Sequence, residues 1–361
     1  MIKTYIMKKL LLILLCFPLL TLAQQTYVPN DNFEAYLEAN GMGDGIANND
    51  YVTTFNISGV SSLIMNNQNI ADLTGIEDFT ALNYLECTFN QLTNFDVSQN
   101  NSLTYLDCSG NNLTSLDVSS NTALTFLDCS RNNLTSLDVS SNTALTYLVC
   151  YSNQLTFLDI SNNTALTLLS FSNNQIISLD LSNNTFLTDL YCEYNQLTSL
   201  DVSNNTVLIR LHCFFNQLEC LNIKNGNNNN MIIFLADANP NLTCIEVDDP
   251  TWATQNWTNV DAGVTFSTNC NYPLGCFNIN PNSVQEIPHS ISLYPNPTNE
   301  NITISIDNFN GNIHTEVYDL IGHRLQTTNE TTISLQDYAR GIYLLKVAYG
   351  DSVEDIKVIK D

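Results

Sequence analysis

Between Leu82 and Leu208 the chain repeats itself every 21 residues, without insertion or deletion. Residues 103–123 read LTYLDCSGNNLTSLDVSSNTA, and residues 124–144 differ from them at two positions. A strict period of this length specifies a solenoid, in which each unit buries its apolar side only against its neighbours. It also aligns the turns with one another, so positions required by the backbone separate from positions left free to vary. Turns start at Val60, Leu82, Leu103, Leu124, Leu145, Leu166, Leu187, Leu208 and Met231, nine in all. Positions 1, 4, 6, 11, 14 and 16 of a turn are apolar; in the third turn they are Leu103, Leu106, Cys108, Leu113, Leu116 and Val118. Alternation at 4 and 6, and again at 14 and 16, predicts one short strand per half turn. The expected array is mainly β: a coil of about nine turns with two parallel sheets, one along each side.

Three polar or thiol ladders accompany the leucines. Position 9 is Asn90, Asn111, Asn132, Asn153, Asn174, Asn195 and Asn216, and position 19 runs from Asn100 through Asn121, Asn142, Asn163 and Asn184 to Asn205. Inward asparagines can hydrogen-bond backbone groups that neither helix nor sheet covers. Position 6 is Cys87, Cys108, Cys129, Cys150, Cys192 and Cys213, interrupted by Phe171. Rung-to-rung spacing suits a disulfide but parallel Cβ vectors do not, so these cysteines read as small buried apolar residues. Position 15 is Asp96, Asp117, Asp138, Asp159, Asp180 and Asp201. Neighbouring charges about 5 Å apart repel by roughly 1 kcal/mol in water. Hydrogen bonds from Ser and Thr at positions 12, 13 and 17 can offset this, and calcium bridging Asp117, Asp138, Asp159 and Asp180 is the sharper alternative. In residues 40–51, an EF-hand-like spacing around Gly45 lacks the final bidentate acid, which argues against calcium there.

The LxxLxCxxN and LxxLDVxxN halves resemble leucine-rich repeats of the short bacterial class, whose 21-residue unit nests two half-repeats. Residues 24–59 precede the array, with Phe33, Tyr36 and Leu37 at helical spacing; they resemble the N-terminal caps of exported bacterial leucine-rich repeat proteins. Residues 60–247 form the array, and 248–289 a C-terminal cap and linker. Trp252, Trp257 and Phe266 are expected to cover the last turn. Cys220, Cys244, Cys270 and Cys276 cluster at this end, where an exported cap favours a disulfide, with Cys244–Cys270 the first choice. Residues 290–361 contain Tyr294-Pro295-Asn296-Pro297-Thr298, Val317-Tyr318-Asp319-Leu320-Ile321-Gly322 and Gly341-Ile342-Tyr343. These motifs resemble the type A C-terminal sorting domain of type IX secretion cargo. That resemblance implies an immunoglobulin-like β-sandwich, a member of the Bacteroidota, contact with the type IX machinery through residues 290–361, and release or attachment to surface lipopolysaccharide.

The second strand, LTSLDV, barely changes between turns, whereas the first varies at outward positions 3, 5, 7 and 8. In leucine-rich repeats this strand lines the binding face. The residues expected to meet a ligand are Tyr105, Phe126, Arg131, Tyr147, Tyr151, Tyr191, Tyr194, Arg210, His212 and Phe214. Cross-strand stacking that merely stabilises the sheet is the plainer alternative.

Residues 1–23 read as an export signal: Lys3, Lys8 and Lys9 precede an apolar run that is too short to span a bilayer. No transmembrane segment is expected. Without the signal, eight basic residues face 36 acidic ones, a net charge of −28, which repels nucleic acid and anionic surfaces. No Gly-x-Ser-x-Gly, His-Glu-x-x-His or phosphate-loop motif occurs, and only four histidines are present. The expectation is a secreted or surface-displayed, monomeric, adhesin-like binding protein for a protein or polysaccharide ligand, without catalytic residues, cofactor or metal. A passive structural spacer is the alternative, and a polysaccharide-acting enzyme fits less well.

Overall fold

Equivalent leucines one period apart can all be buried only if successive turns stack in register, and the first-strand pairing has that form. In the computed structural model, which describes residues 24–272, 276–277, 291–294, 296, 298, 300–306, 313–319, 323–349 and 352–360, nine parallel strands make one sheet. They are Ser62–Ile64, Tyr84–Glu86, Tyr105–Asp107, Phe126–Asp128, Tyr147–Val149, Leu168–Ser170, Asp189–Tyr191, Arg210–His212 and Ile233–Leu235. Their central residues pair rung to rung, from Leu63 with Leu85 to Leu211 with Phe234. The expected export signal lies outside the described residues, as do most of the linker, Pro295, Pro297 and residues 320–322.

The second side differs from the expectation of a full-length sheet. Its four strands, Ser199–Asp201, Cys220–Asn222, Cys244–Glu246 and Thr265–Ser267, belong to the C-terminal end. In earlier turns each LTSLDV segment is linked across by a single backbone bond, such as Asn112 N to Leu92 O at 2.8 Å. Burial rises along this side ahead of the pairing: Leu116 is only partly buried, while Leu137, Leu158, Leu179 and Leu200 are 8%, 3%, 2% and 0% exposed. A parallel ladder requires turns about 4.8 Å apart, and this spacing is met on both sides only near the C-terminal cap.

That end is tied down. Asp249 caps the Pro250–Asn256 helix by accepting from Thr251 N and Trp252 N. Trp257 packs on Phe234 at 4.5 Å and on Phe266 at 5.9 Å. Cys244 pairs with Cys270, and Cys220 with Cys276. The Tyr272 hydroxyl donates to Leu221 O at 2.6 Å, beside the second sheet. At the other end, Asn30 caps the Asp31–Ala39 helix, which buries Phe33 and Leu37. Tyr36 donates to Ile64 O at 2.7 Å and so covers the first strand's edge.

The asparagine ladders are buried. Asn132 Nδ2 donates to Cys108 O and Cys129 O, both at 3.1 Å, and its Oδ1 accepts from Leu113 N at 2.9 Å. Asn142 Nδ2 donates to Val118 O and Asn121 O at 2.9 Å, while its Oδ1 has no partner among the described residues. The position-6 cysteines are free and fully buried. Burial pushes their thiols up, Cys150 to about 12, which keeps them protonated and unreactive.

Residues 282–361 form a separate unit. Three strands (Ile291–Tyr294, Asn301–Ile306, Thr332–Ser334) and four (Arg324–Thr328, Ile313–Tyr318, Gly341–Tyr349, Ser352–Lys360) make two antiparallel sheets. Ile302, Val317, Ile333, Leu345 and Val358 share one core between them.

Candidate functional site

Strand alternation turns positions 3 and 5 outward, while position 4 is buried. At position 3 the rings lie one above another. Tyr84 and Tyr105 have centroids 4.2 Å apart at 12°, and Tyr105 and Phe126 4.2 Å apart at 5°. Phe126 and Tyr147 are 6.1 Å apart and tilted. Both faces of Tyr105 and one face of Phe126 therefore meet neighbouring rings. Each such pair is worth about 0.5–1.5 kcal/mol beyond its buried area, so these two expected ligand residues also brace the sheet. Tyr147 ends the stack, 44% exposed.

Beside the stack, position 5 carries Glu86, Asp107 and Asp128 on adjacent rungs. Asp107 accepts from Ser109 N at 3.0 Å and Ser109 Oγ at 2.7 Å; Asp128 accepts from Ser130 N at 2.9 Å. Glu86 accepts from Tyr84 Oη and from Asn66 Nδ2. Burial raises the Asp107 carboxyl and pushes Asp128 up to about 6; repulsion from Glu86 adds at Asp107 and from Asp107 at Asp128, where Arg131 opposes it.

Arg131 lies over the Tyr151 ring, 5.6 Å from its centroid. Further along, Arg210 is paired with Asp189 at 2.6 Å, so its charge is already engaged. Tyr191 meets His212 edge-on at 4.8 Å. Tyr194 stacks on Phe215 at 4.7 Å and 10°, and Phe214 stands edge-on to Tyr194 at 5.4 Å. Glu193 Oε2 and His212 Nε2 are buried and have no hydrogen-bond partner among the described residues. Phe215 and Glu193 thus join the C-terminal group, although neither stood among the expected ligand residues.

Two features depart from the sequence reading. Position 7 is not uniformly outward: the small residues Thr88, Ser109, Ser130 and Ser172 are buried there, whereas the larger Tyr151, Glu193 and Phe214 remain partly exposed. Position 8 bends left-handed in every turn, with φ of 51° at Phe89, 67° at Gly110, 53° at Arg131, 60° at Asn173, 56° at Tyr194 and 50° at Phe215. Gly110 and Asn173 suit that conformation. The other residue types conceal it, which is why a strand-like reading of positions 7 and 8 missed the bend.

The aspartate ladder is held by its own turns. Asp117 and Asp138 each accept from the amide of the serine two residues on, at 2.9 Å, and the same bond recurs from Asp96 to Asp201. Hydrogen bonding by Ser119 and Ser140 holds the Asp117 and Asp138 carboxyls below the usual range. Among the described residues no group of three or more His, Cys, Asp or Glu side chains is placed to hold a metal ion. A cleft of about 520 Å³ on this second side is lined by Asp72, Glu77, Phe95 and Asp96. Its three carboxylates accept from Thr74 N, Gly75 N and Ser98 N.

The family described as a secretion system C-terminal sorting domain matches residues 292–361. A crystal structure of an internalin from Listeria monocytogenes resembles the array with a TM-score of 0.50 and 21% identity, over 67% of this chain and 75% of that one. The chain is a leucine-rich repeat protein with a secretion-sorting tail. This leucine-rich repeat protein is also 42% identical over 74 residues to Internalin J of Listeria monocytogenes, a match spanning 20% of the chain but 8% of that relative's length. The functional domain of InlJ, described as including a cysteine ladder, gives a TM-score of 0.39 at 24% identity, over 94% of this chain and 99% of that one. The sorting tail makes the protein type IX cargo, secreted to the cell surface. No helix among the described residues is long and apolar enough to cross a membrane.

Proposed function

We propose that this is a surface-displayed, adhesin-like binding protein whose ligand, a protein or polysaccharide, meets the outward face of the nine-stranded sheet. One observation carries the reading. Turns that agree at nearly every inward position differ at the outward positions of the first strand, where Tyr147, Arg131, Tyr151, Tyr191, Tyr194 and Phe214 gather. Partly exposed aromatics beside charged groups supply the anchors that recognition surfaces use. A passive spacer needs the inward ladders but has no use for variation confined to one face. Residues 290–361 engage the type IX machinery, and the array acts as a monomer without catalytic groups.

Glycan and surface-protein arrays probed with the wild type and the Tyr151→Ala/Tyr191→Ala variant test this. The variant should lose capture by about tenfold or more while its Tm stays within about 2 °C. Unchanged capture would favour the spacer, and turnover of an arrayed polysaccharide would favour an enzyme.

A further inference from the structure

The C-terminal end of the varied face holds a grouping that general aromatic recognition does not explain. Three strands lie in register there, Asp189–Tyr191, Arg210–His212 and Ile233–Leu235. The bends that follow them stay in step, since Tyr194 N donates to Phe214 O and Phe215 N to Asp237 O. Phe214 is therefore flanked by Glu193 on one rung and Asp237 on the next. Tyr194 and Phe215 are stacked together, and Phe214 stands across them at 76° and 66°. The result is an aromatic corner with a carboxylate on either side.

The corner is incomplete by itself. Among the described residues Glu193 Oε2 is buried without a hydrogen-bond partner, a costly state for a carboxylate oxygen. No lysine or arginine among the described residues of the array is free to fill the corner. Residues 24–289 hold 26 acidic side chains against three lysines and arginines, Arg131, Arg210 and Lys224. Arg210 is paired with Asp189, Arg131 lies over Tyr151, and Lys224 Nζ donates to Thr268 O.

We infer that this corner receives a lysine or arginine side chain of a protein partner. A cation interacts favourably with aromatic faces and with a desolvated carboxylate at once. A neutral sugar ring would leave the buried Glu193 carboxylate without a counter-charge, which a lysine or arginine supplies. The inference rests on the strand-face reading above and narrows its ligand from protein or polysaccharide to a basic protein segment.

Calorimetry on the mature chain with a hexalysine peptide, and with the same peptide acetylated on every Nε, tests it at physiological salt. Hexalysine should bind and the acetylated peptide should not. Glu193→Gln, which preserves shape, and Phe214→Ala should each weaken hexalysine by about tenfold. Glu219→Gln, an exposed acid on the second side, should change it less than about twofold. Equal losses for Glu193→Gln and Glu219→Gln would show diffuse attraction to an acidic chain and overturn the corner. So would unchanged binding in Glu193→Gln, or equal binding of the acetylated peptide. None of these results touches capture of a ligand through Tyr151 and Tyr191, so failure here and failure of the broader reading are separable.

Discussion

Asp128 sits half-buried on the strand face, one rung from Asp107, with its carboxyl pushed up to about 6 chiefly by burial. An unfolded aspartate titrates near 3.9, so between about pH 4 and 6 the folded chain binds the extra proton. Asp128 therefore favours the folded state as the pH falls through 6 and disfavours it as the pH rises. Asp107 is raised by burial and acts in the same sense, while Asp117 and Asp138, lowered by Ser119 and Ser140, matter only in stronger acid. Asp128→Asn keeps an acceptor for Ser130 N and removes the charge. It should raise unfolding stability at pH 7.5 by about 1–2 kcal/mol, with the gain fading toward pH 4.5. Guanidinium unfolding of both chains across this range measures it; parallel pH profiles would contradict the assignment.

The ladders act at the scale of the turn. An Asn132→Ala change leaves Leu113 N without its acceptor, while Cys108 O and Cys129 O keep donors in Asn111 and Asn153. Asn142→Ala removes one of two donors from Val118 O and from Asn121 O, which keep Asn121 N and Leu124 N. Both should destabilise, by about 1–3 kcal/mol, and Asn132→Ala by more; equal denaturant midpoints would show that the shared Oδ1 bond adds nothing. The aspartates already accept a serine amide each, so melts with calcium and with chelator should coincide, and a calcium-dependent Tm would revive bridging between Asp117 and Asp138. Much of this was legible beforehand because inward Leu106, Cys108 and Asn111 must recur wherever turns stack. The second sheet was not. LTSLDV reads the same in paired and unpaired turns, and its pairing follows the disulfides and cap at Cys220, Cys244 and Tyr272. Nor did the one-letter pattern show that Tyr105 and Phe126 face each other, or that Glu193 closes on an aromatic corner, because ring orientation depends on neighbouring rungs.

At the scale of the molecule the division of labour is between an acidic array and a tail that directs export. The array keeps its inward positions nearly constant and varies one outward strand face, at Tyr147, Tyr151, Tyr191, Tyr194 and Phe214. Whether that face carries the ligand is tested most directly by hydrogen exchange on the mature chain, with and without a partner captured from the arrays. Slowed exchange should concentrate in Tyr147–Val149, Asp189–Tyr191 and Arg210–His212 and the bends after them. Protection confined to the LTSLDV side, with those strands unchanged, would contradict the proposed binding face.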